Sequence, residues 1–254
     1  MSMMRASKIW VWVMTVAVAL VAVSACDRPE TSTDYFDRGV ARLKEGKYKG
    51  AIADFDQVIN IQPKYTDAYI NRASAKSGLD QYEEAIADLD QVIRLQPDHA
   101  DAYYSRGNAK YQLDQLQEAI ADYDQAIHLQ PDFSSAYYNR GNAKYRLDQL
   151  QEAIADFDQA IRLQPDYFAA YYSRGVVKRH LSLYQEAIAD FDQAIRLQPD
   201  SAAAYSSRGL AKSLLGQFQE GIADMKIAHE LAQKAGEREL AASLERLIET
   251  LEQE

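Results

Sequence analysis

Cysteine is nearly absent from the 254-residue chain, which contains only Cys26. A single cysteine excludes an intramolecular disulfide and any metal site built on several thiolates. Four histidines are widely separated, with no carboxylate or second histidine at metal-ligand spacing: His99, His128, His180 and His229. The sequence also lacks a glycine-rich phosphate loop and a serine–histidine motif, and its "DFDQ" segments lack the glycine and glutamate of an EF-hand. We therefore expect no metal, no cofactor and no catalysis.

Basic residues are also in deficit, because 28 lysines and arginines stand against 38 aspartates and glutamates, a net charge of −10. Binding to nucleic acid depends on cations that neutralise phosphates, so this balance disfavours DNA or RNA as a partner. We expect other proteins or peptide segments as partners instead.

Only one long apolar run occurs, "IWVWVMTVAVALVAVSA" at residues 9–25. Arg5 and Lys8 precede it, and a basic flank followed by a short apolar stretch is typical of a signal peptide. The run leads into "VSAC", which resembles the lipobox of bacterial lipoproteins, where a lipidated cysteine becomes the first residue after cleavage. This resemblance implies a signal peptide at residues 1–25 and a lipid anchor on the Cys26 thiol.

Residues 26–33, "CDRPETST", would then form the lipidated cysteine and a polar spacer between the membrane and the folded domain. The resemblance implies a protein of the bacterial cell envelope, anchored to a membrane by lipid and facing the periplasm or the exterior. Two alternatives stay open. The segment could be removed by ordinary signal-peptide cleavage after Ala25, or it could remain as an uncleaved anchor of a cytoplasmic domain.

Proline is rare but regularly spaced in the rest of the chain. Five prolines stand 34 residues apart, each at the end of a phrase such as "IRLQP": Pro63, Pro97, Pro131, Pro165 and Pro199. A fixed period of this length indicates repeats. In this register six repeats begin at Ser32, Thr66, Ala100, Ser134, Phe168 and Ala202. The place of a residue is its position counted from the first residue of its repeat.

Each repeat contains two stretches with helical apolar periodicity, separated by a short turn that is often "DQ". The fourth repeat carries Tyr137, Gly141, Leu150, Ala153, Phe157, Ala160 and Pro165 at places 4, 8, 17, 20, 24, 27 and 32. Period and positions together resemble the tetratricopeptide repeat (TPR). The resemblance implies an all-α fold, an α-solenoid of about six helix-turn-helix units at residues 34–235. The leucine stripe in residues 236–254 is typical of a capping helix.

Charged residues recur at four further places. Place 7 is arginine and place 11 is basic in every repeat, place 23 is always aspartate, and place 25 is aspartate in all repeats but the last, which has Lys226. Two cations four residues apart on a helix repel and need an acidic neighbour. We predict that each place-25 aspartate faces the basic pair of the following repeat; the alternative is a merely solvated acidic face.

In the TPR family the first helices line a concave groove with places 2, 5, 9, 12 and 13. The resemblance therefore implies a ligand-binding set of Tyr104, Asn108, Tyr111, Tyr138, Asn142, Tyr145, Arg146, Tyr172 and Arg179, with His180 beside it. Tyrosine, asparagine and arginine suit contact with a peptide segment. The function expected is a membrane-tethered scaffold or adaptor. One alternative is that the tyrosines pack between repeats. Another is that the protein is a structural subunit of an envelope assembly, which uses its flanks or ends while the groove stays empty.

Overall fold

The computed structural model describes residues 30–252, and every regular element within them is an α-helix. The predicted signal peptide at residues 1–25, the lipidation at Cys26 and the start of the spacer lie outside the described residues. None of the helices within residues 30–252 combines the length and the apolar character that crossing a membrane requires.

The described helices belong to two compact bodies, which divide between Leu79 and Asp80. The N-terminal body contains α1 (Ser32–Lys44), α2 (Tyr48–Ile61) and α3 (Thr66–Ser77). Helix α2 packs against both α1 and α3, and α1 also contacts α3.

The C-terminal body contains ten helices within the described range. They are α4 (Tyr82–Leu95), α5 (Ala100–Gln112), α6 (Leu116–Leu129), α7 (Ser134–Arg146), α8 (Leu150–Leu163), α9 (Phe168–His180), α10 (Tyr184–Leu197), α11 (Ala202–Leu214), α12 (Phe218–Ala235) and α13 (Arg238–Glu252). Each helix packs against the next one along the chain from α4 to α13. The first helix of every repeat begins at the residue where the 34-residue register begins. The predicted all-α fold of TPR-like helix-turn-helix units is confirmed, and in the C-terminal body a final helix follows the last unit.

Both turns of each repeat have a local cause in the sequence. The first helix ends by place 13, and at place 15 the backbone is left-handed: φ is 61° at Asp114, 60° at Asp148, 60° at Ser182 and 87° at Gly216. Glycine and aspartate tolerate this conformation best. In the first five repeats the second helix ends two residues before the periodic proline, which has no N–H with which to continue a helix.

Packing inside a repeat depends on a small residue facing a large one. A Cβ atom added to Gly141 would lie 2.8 Å from Cε1 of Phe157, and Phe157 itself is fully buried. Ala153 is also fully buried. Gly141 and Ala153 therefore allow the two helices to approach, and the Phe157 ring fills the space between them.

In repeats 2 to 6 the arginine at place 7 connects two repeats. Arg140 donates from Nε and Nη2 to the carboxylate of Asp156 in its own repeat, at 2.9 and 2.5 Å. Its Nη1 donates to Asp124 of the preceding repeat at 2.5 Å, and its guanidinium lies 5.3 Å from the centre of the Tyr137 ring. Burial alone would lower the pKa of Arg140, but the bonds to both aspartates outweigh it and hold the pKa above its ordinary value.

This arrangement, which we call the arginine–aspartate ladder, confirms one part of the charge prediction and corrects another. The confirmed contacts between neighbouring repeats are Asp56–Arg72, Asp90–Arg106, Asp124–Arg140, Asp158–Arg174 and Asp192–Arg208. The prediction was wrong for the cation at place 11. Lys144, for example, pairs at 2.8 Å with Asp156 of its own repeat, because that carboxylate is buried and needs several donors.

The ladder is completed differently at its two ends. In the first repeat, which has no preceding place-25 aspartate, Glu30 supplies a carboxylate to Arg38, and this hydrogen bond lowers the pKa of Glu30. In the last repeat Lys226 replaces the aspartate and pairs at 2.7 Å with Glu252 of α13. Leu244 and Ile248 of α13 are buried against Met225 of α12, so this helix covers the apolar face of the last repeat.

Candidate protein-binding groove

The first helices of repeats 3 to 6 form a continuous layer in the C-terminal body. Helix α5 contacts α7, α7 contacts α9, and α9 contacts α11, in addition to their contacts with the second helices. Places 5, 9 and 12 lie about half a helical turn away from the ladder residues at places 7 and 11. One face of each first helix therefore carries the cations of the ladder, and the opposite face is available to form a groove.

A pocket of about 300 Å³ opens on this layer between repeats 3 and 4. Its lining comprises Asn108, Tyr111 and Gln112 of α5, Tyr123 of α6, and Asn139 and Asn142 of α7. Three of these residues belong to the predicted ligand-binding set, namely Asn108, Tyr111 and Asn142. The pocket brings together side-chain amides from two neighbouring repeats.

Hydrogen bonds fix the orientation of the Asn108 amide. Its Oδ1 accepts from the hydroxyl of Tyr123 at 2.9 Å and from Nδ2 of Asn139 at 2.8 Å. The same Nδ2 of Asn139 also donates to the hydroxyl of Tyr104 at 3.0 Å. Burial raises the pKa of Tyr123, which keeps its phenol protonated as a donor. Because the Asn108 carbonyl is already satisfied, Asn108 offers its N–H donors to a ligand.

The predicted tyrosines at place 5 are half-buried inter-repeat packing residues. The Tyr104 ring centre lies 4.7 Å from that of Phe133, and the Tyr138 ring lies 5.1 Å from Tyr167. Tyr172 packs against the core of the fifth repeat, and its hydroxyl lies 3.2 Å from Oγ of Ser207. The alternative of inter-repeat packing therefore describes these three side chains, and ligand contact by them stays a prediction.

Farther along the layer, place 12 of one repeat contacts place 13 of the next. The Arg146 guanidinium lies 5.0 Å from the centre of the Tyr111 ring, and its Nη2 pairs with Asp114 at 2.8 Å. The Tyr145 ring meets His180 edge-on, with ring centres 6.1 Å apart. Arg146 is thus already neutralised by a carboxylate.

Sequence reasoning missed three residues of the pocket: Gln112, Tyr123 and Asn139. Tyr123 occupies place 24, where the other repeats have phenylalanine, leucine or methionine, so its hydroxyl was the available signal. Asn139 lies at place 6, outside the places expected to line the groove. Within residues 30–252 no group of histidine, cysteine, aspartate or glutamate side chains is arranged to hold a metal ion.

Comparison with known proteins agrees with this architecture. Tetratricopeptide repeat models match residues 35–65, 79–114, 107–148, 138–202 and 181–236. No curated protein sequence matches the chain.

Among solved structures, MamA is 26% identical, with 68% of this chain and 94% of that one covered and a TM-score of 0.62. YrrB, described as a TPR protein with an unusual peptide-binding site, is 21% identical over 76% and 97% of the two chains, with a TM-score of 0.62. PilW, a type IV pilus biogenesis factor, is 18% identical over 85% and 99%, with a TM-score of 0.74. Together, the repeat models and the helical architecture establish that the chain belongs to the tetratricopeptide repeat family.

Proposed function

We propose that this protein is a membrane-tethered TPR adaptor that binds a segment of another protein in the groove of its C-terminal body. The observation that carries the proposal is the pocket between repeats 3 and 4, where the orientation of the Asn108 amide is fixed by Tyr123 and Asn139. A fixed donor loses little freedom when it binds, so more of its hydrogen-bond energy contributes to affinity.

The chemistry of the pocket favours an extended peptide segment. Such a segment presents a carbonyl acceptor at every residue, and the amides of Asn108 and Asn142 occur at the same place on neighbouring first helices. Tyr111 and Gln112 add an aromatic surface and a second adaptable amide to the lining. Tyrosine and asparagine suit adaptable contacts of this kind. The peptide-binding site named for YrrB supports this role in a protein of the same fold.

The groove is tested by selecting displayed 12-residue peptides on the full chain in nonionic detergent. We expect the selected peptides to lose about tenfold or more in affinity for the Asn142→Ala variant, since hydrogen bonds contribute about 0.5–1.5 kcal/mol each and the amide makes more than one. Asn60→Ala, an exposed asparagine of α2, is the matched control and should leave affinity unchanged. Selected peptides that bind the Asn142 variant as tightly as the original protein would contradict the groove proposal.

The tether is the second part of the proposal. We infer that Cys26 carries the lipid and that the protein belongs to the bacterial cell envelope; the "VSAC" ending supports this. Between Cys26 and Glu30 the chain can reach at most about 14 Å, so the anchored first repeat would lie close to the membrane surface. Glu30 already pairs with Arg38.

The intact mass of the N-terminal peptide from membrane-extracted protein tests the tether. We expect a mass that starts at Cys26 and includes acyl chains, and we expect the Cys26→Ser variant to lose both. An unmodified peptide that begins after Ala25 would indicate ordinary cleavage. A peptide that begins at Met1 would indicate an uncleaved anchor and a cytoplasmic adaptor.

A further inference from the structure

We propose that Arg179 forms a separate subsite of the groove that binds an aspartate or glutamate side chain of the partner segment. The proposal rests on the proposed function, because it names one chemical feature of the segment that the groove would bind. It concerns the layer at repeats 5 and 6, beyond the amide pocket between repeats 3 and 4.

Arg179 differs from the other arginines of the first helices because it has no carboxylate partner within residues 30–252. Its side chain is half-buried, and its Nε is buried without a hydrogen-bond acceptor. The arginines that do bind carboxylates are Arg38, Arg42, Arg72, Arg106, Arg140, Arg146, Arg174 and Arg208. An arginine without a carboxylate keeps guanidinium donors that the exposed part of this half-buried side chain can offer to an acceptor from outside the chain.

The register of the layer explains why this arginine lacks a partner. Place 12 contacts place 13 of the following repeat, as Tyr111 contacts Arg146. In the same register the residue opposite Arg179 would be Leu214, a side chain that is 49% exposed and cannot accept a hydrogen bond. In repeat 5 the cation Arg179 lies at place 12, and place 13 of repeat 6 supplies neither an aromatic ring nor a carboxylate.

The turn after α9 also has no carboxylate at place 15. Place 15 is an aspartate in repeats 2, 3 and 4, and Asp114 uses that position to neutralise Arg146. In repeat 5 the same place is Ser182, which retains the left-handed φ of 60° without a negative charge. His180, exposed at the same end of α9, adds no acidic group. Within residues 30–252, Arg179 is therefore a half-buried cation without a carboxylate partner, in a chain whose net charge is −10.

Two rhodamine-labelled peptides test the subsite by fluorescence anisotropy. They share one lysine-free sequence frame, and both are amidated at the C-terminus. One contains four glutamates and the other four glutamines, and both are titrated with the full chain in nonionic detergent. We expect the glutamate peptide to bind at least tenfold more tightly, with an affinity that falls as salt is raised from 50 to 500 mM. Equal binding of the two peptides would overturn the proposal.

Two variants locate the binding. Arg179→Gln should remove the preference for glutamate, whereas Arg196→Gln, an exposed arginine of α10, should preserve it. Ser182→Asp should also weaken binding of the glutamate peptide about tenfold, because it supplies a competing carboxylate of the kind found at this turn in three other repeats. This variant keeps the turn, because aspartate already adopts a φ near 60° at Asp114 and Asp148. Unchanged preference in either the Arg179 or the Ser182 variant would refute the assignment.

A third peptide, four glutamines with a free C-terminus, separates a side-chain carboxylate from a terminal one. Tight binding of this peptide would show that the subsite takes a chain terminus and would contradict the choice of an acidic side chain. The two proposals fail separately. Loss of the Asn142 effect with the glutamate preference kept would contradict the amide groove alone, and the reverse result would contradict the Arg179 subsite alone.

Discussion

Replacing Asp190 by asparagine should destabilise the C-terminal body far more than replacing Asp158, although both carboxylates bind the same arginine. Asp190 has a side chain that is only 5% exposed, and it accepts from Arg174 at 3.0 and 2.5 Å and from Lys178 at 2.9 Å. Asp158 has a side chain that is 46% exposed, and among residues 30–252 its one hydrogen-bond partner is Nη1 of Arg174.

The magnitudes follow from this difference in burial. Breaking a buried ion pair costs about 3–5 kcal/mol, because the remaining charge loses its partner without regaining water. Arg174 and Lys178 keep some contact with water, at 16% and 14% exposure, so we expect about 3 kcal/mol for Asp190→Asn. An exposed pair contributes about 0.2–1 kcal/mol, so we expect about 0.5 kcal/mol for Asp158→Asn.

The assay is urea unfolding followed by helical circular dichroism and fitted with a nearest-neighbour model, since each repeat contacts only its neighbours. Double-mutant cycles with Arg174→Gln isolate each pair, and we expect a coupling of about 2 kcal/mol for Asp190 and below about 0.7 kcal/mol for Asp158. Asp166→Asn, an exposed aspartate in the turn before α9, is the control and should have little effect. Equal couplings for the two aspartates would refute the reasoning, and no coupling for Asp158 would remove its role in joining repeats.

Three further predictions follow from local packing, titration and backbone conformation. Gly141→Ala should cost about 1–3 kcal/mol in urea unfolding, because the new methyl group would meet the Phe157 ring at 2.8 Å, and Phe157→Leu in the same chain should recover part of the loss. Burial raises the pKa of Tyr123 above its ordinary value of 10.0, so the unfolded chain releases this proton at a lower pH than the folded protein does. The stability of the protein should therefore fall as pH rises above about 10. Tyr123→Phe should make that decline shallower in thermal melts, and an unchanged decline would contradict the link. Ser182→Gly should stabilise the protein by about 0.5 kcal/mol, since φ is 60° at this residue, whereas Gly216→Ala, at a φ of 87°, should destabilise it by about 1 kcal/mol. A destabilising Ser182→Gly or a stabilising Gly216→Ala would refute the argument from backbone strain.

Most of the fold could be predicted because the features that determine it are local and repeated. The periodic proline and the short polar turn mark both ends of each helix, and the apolar spacing inside each helix selects the buried face. The pairing of Gly141 with Phe157 could also be anticipated, since a missing Cβ leaves room for a ring. These signals repeat every 34 residues, so an error in one repeat would have been evident from the others.

The details of the site were less predictable because they depend on which side chains meet across helices. The place-11 cation was expected to pair with the preceding repeat, yet Lys144 binds Asp156, because only the folded arrangement reveals how deeply that carboxylate is buried. Asn139 was overlooked for a similar reason. Its partners Asn108 and Tyr104 belong to another repeat, 31 and 35 residues away in the chain.

Comparing the repeats with one another separates the residues that build the protein from those proposed to bind. Arginine at place 7 and aspartate at place 23 occur in all six repeats. A residue required in every repeat, whatever that repeat faces, is best explained by the stacking that all repeats share. The proposed binding face instead contains exceptions to the pattern: Tyr123, which orients Asn108, has a hydroxyl where other repeats have none, and Arg179 occupies the place held by Tyr111 and Tyr145. In the C-terminal body these exceptions lie on the layer of first helices or point toward it from α6, the face that the ladder leaves free. Specificity should therefore change when these exceptions are exchanged between repeats, while stability, measured by the same urea unfolding, should change little.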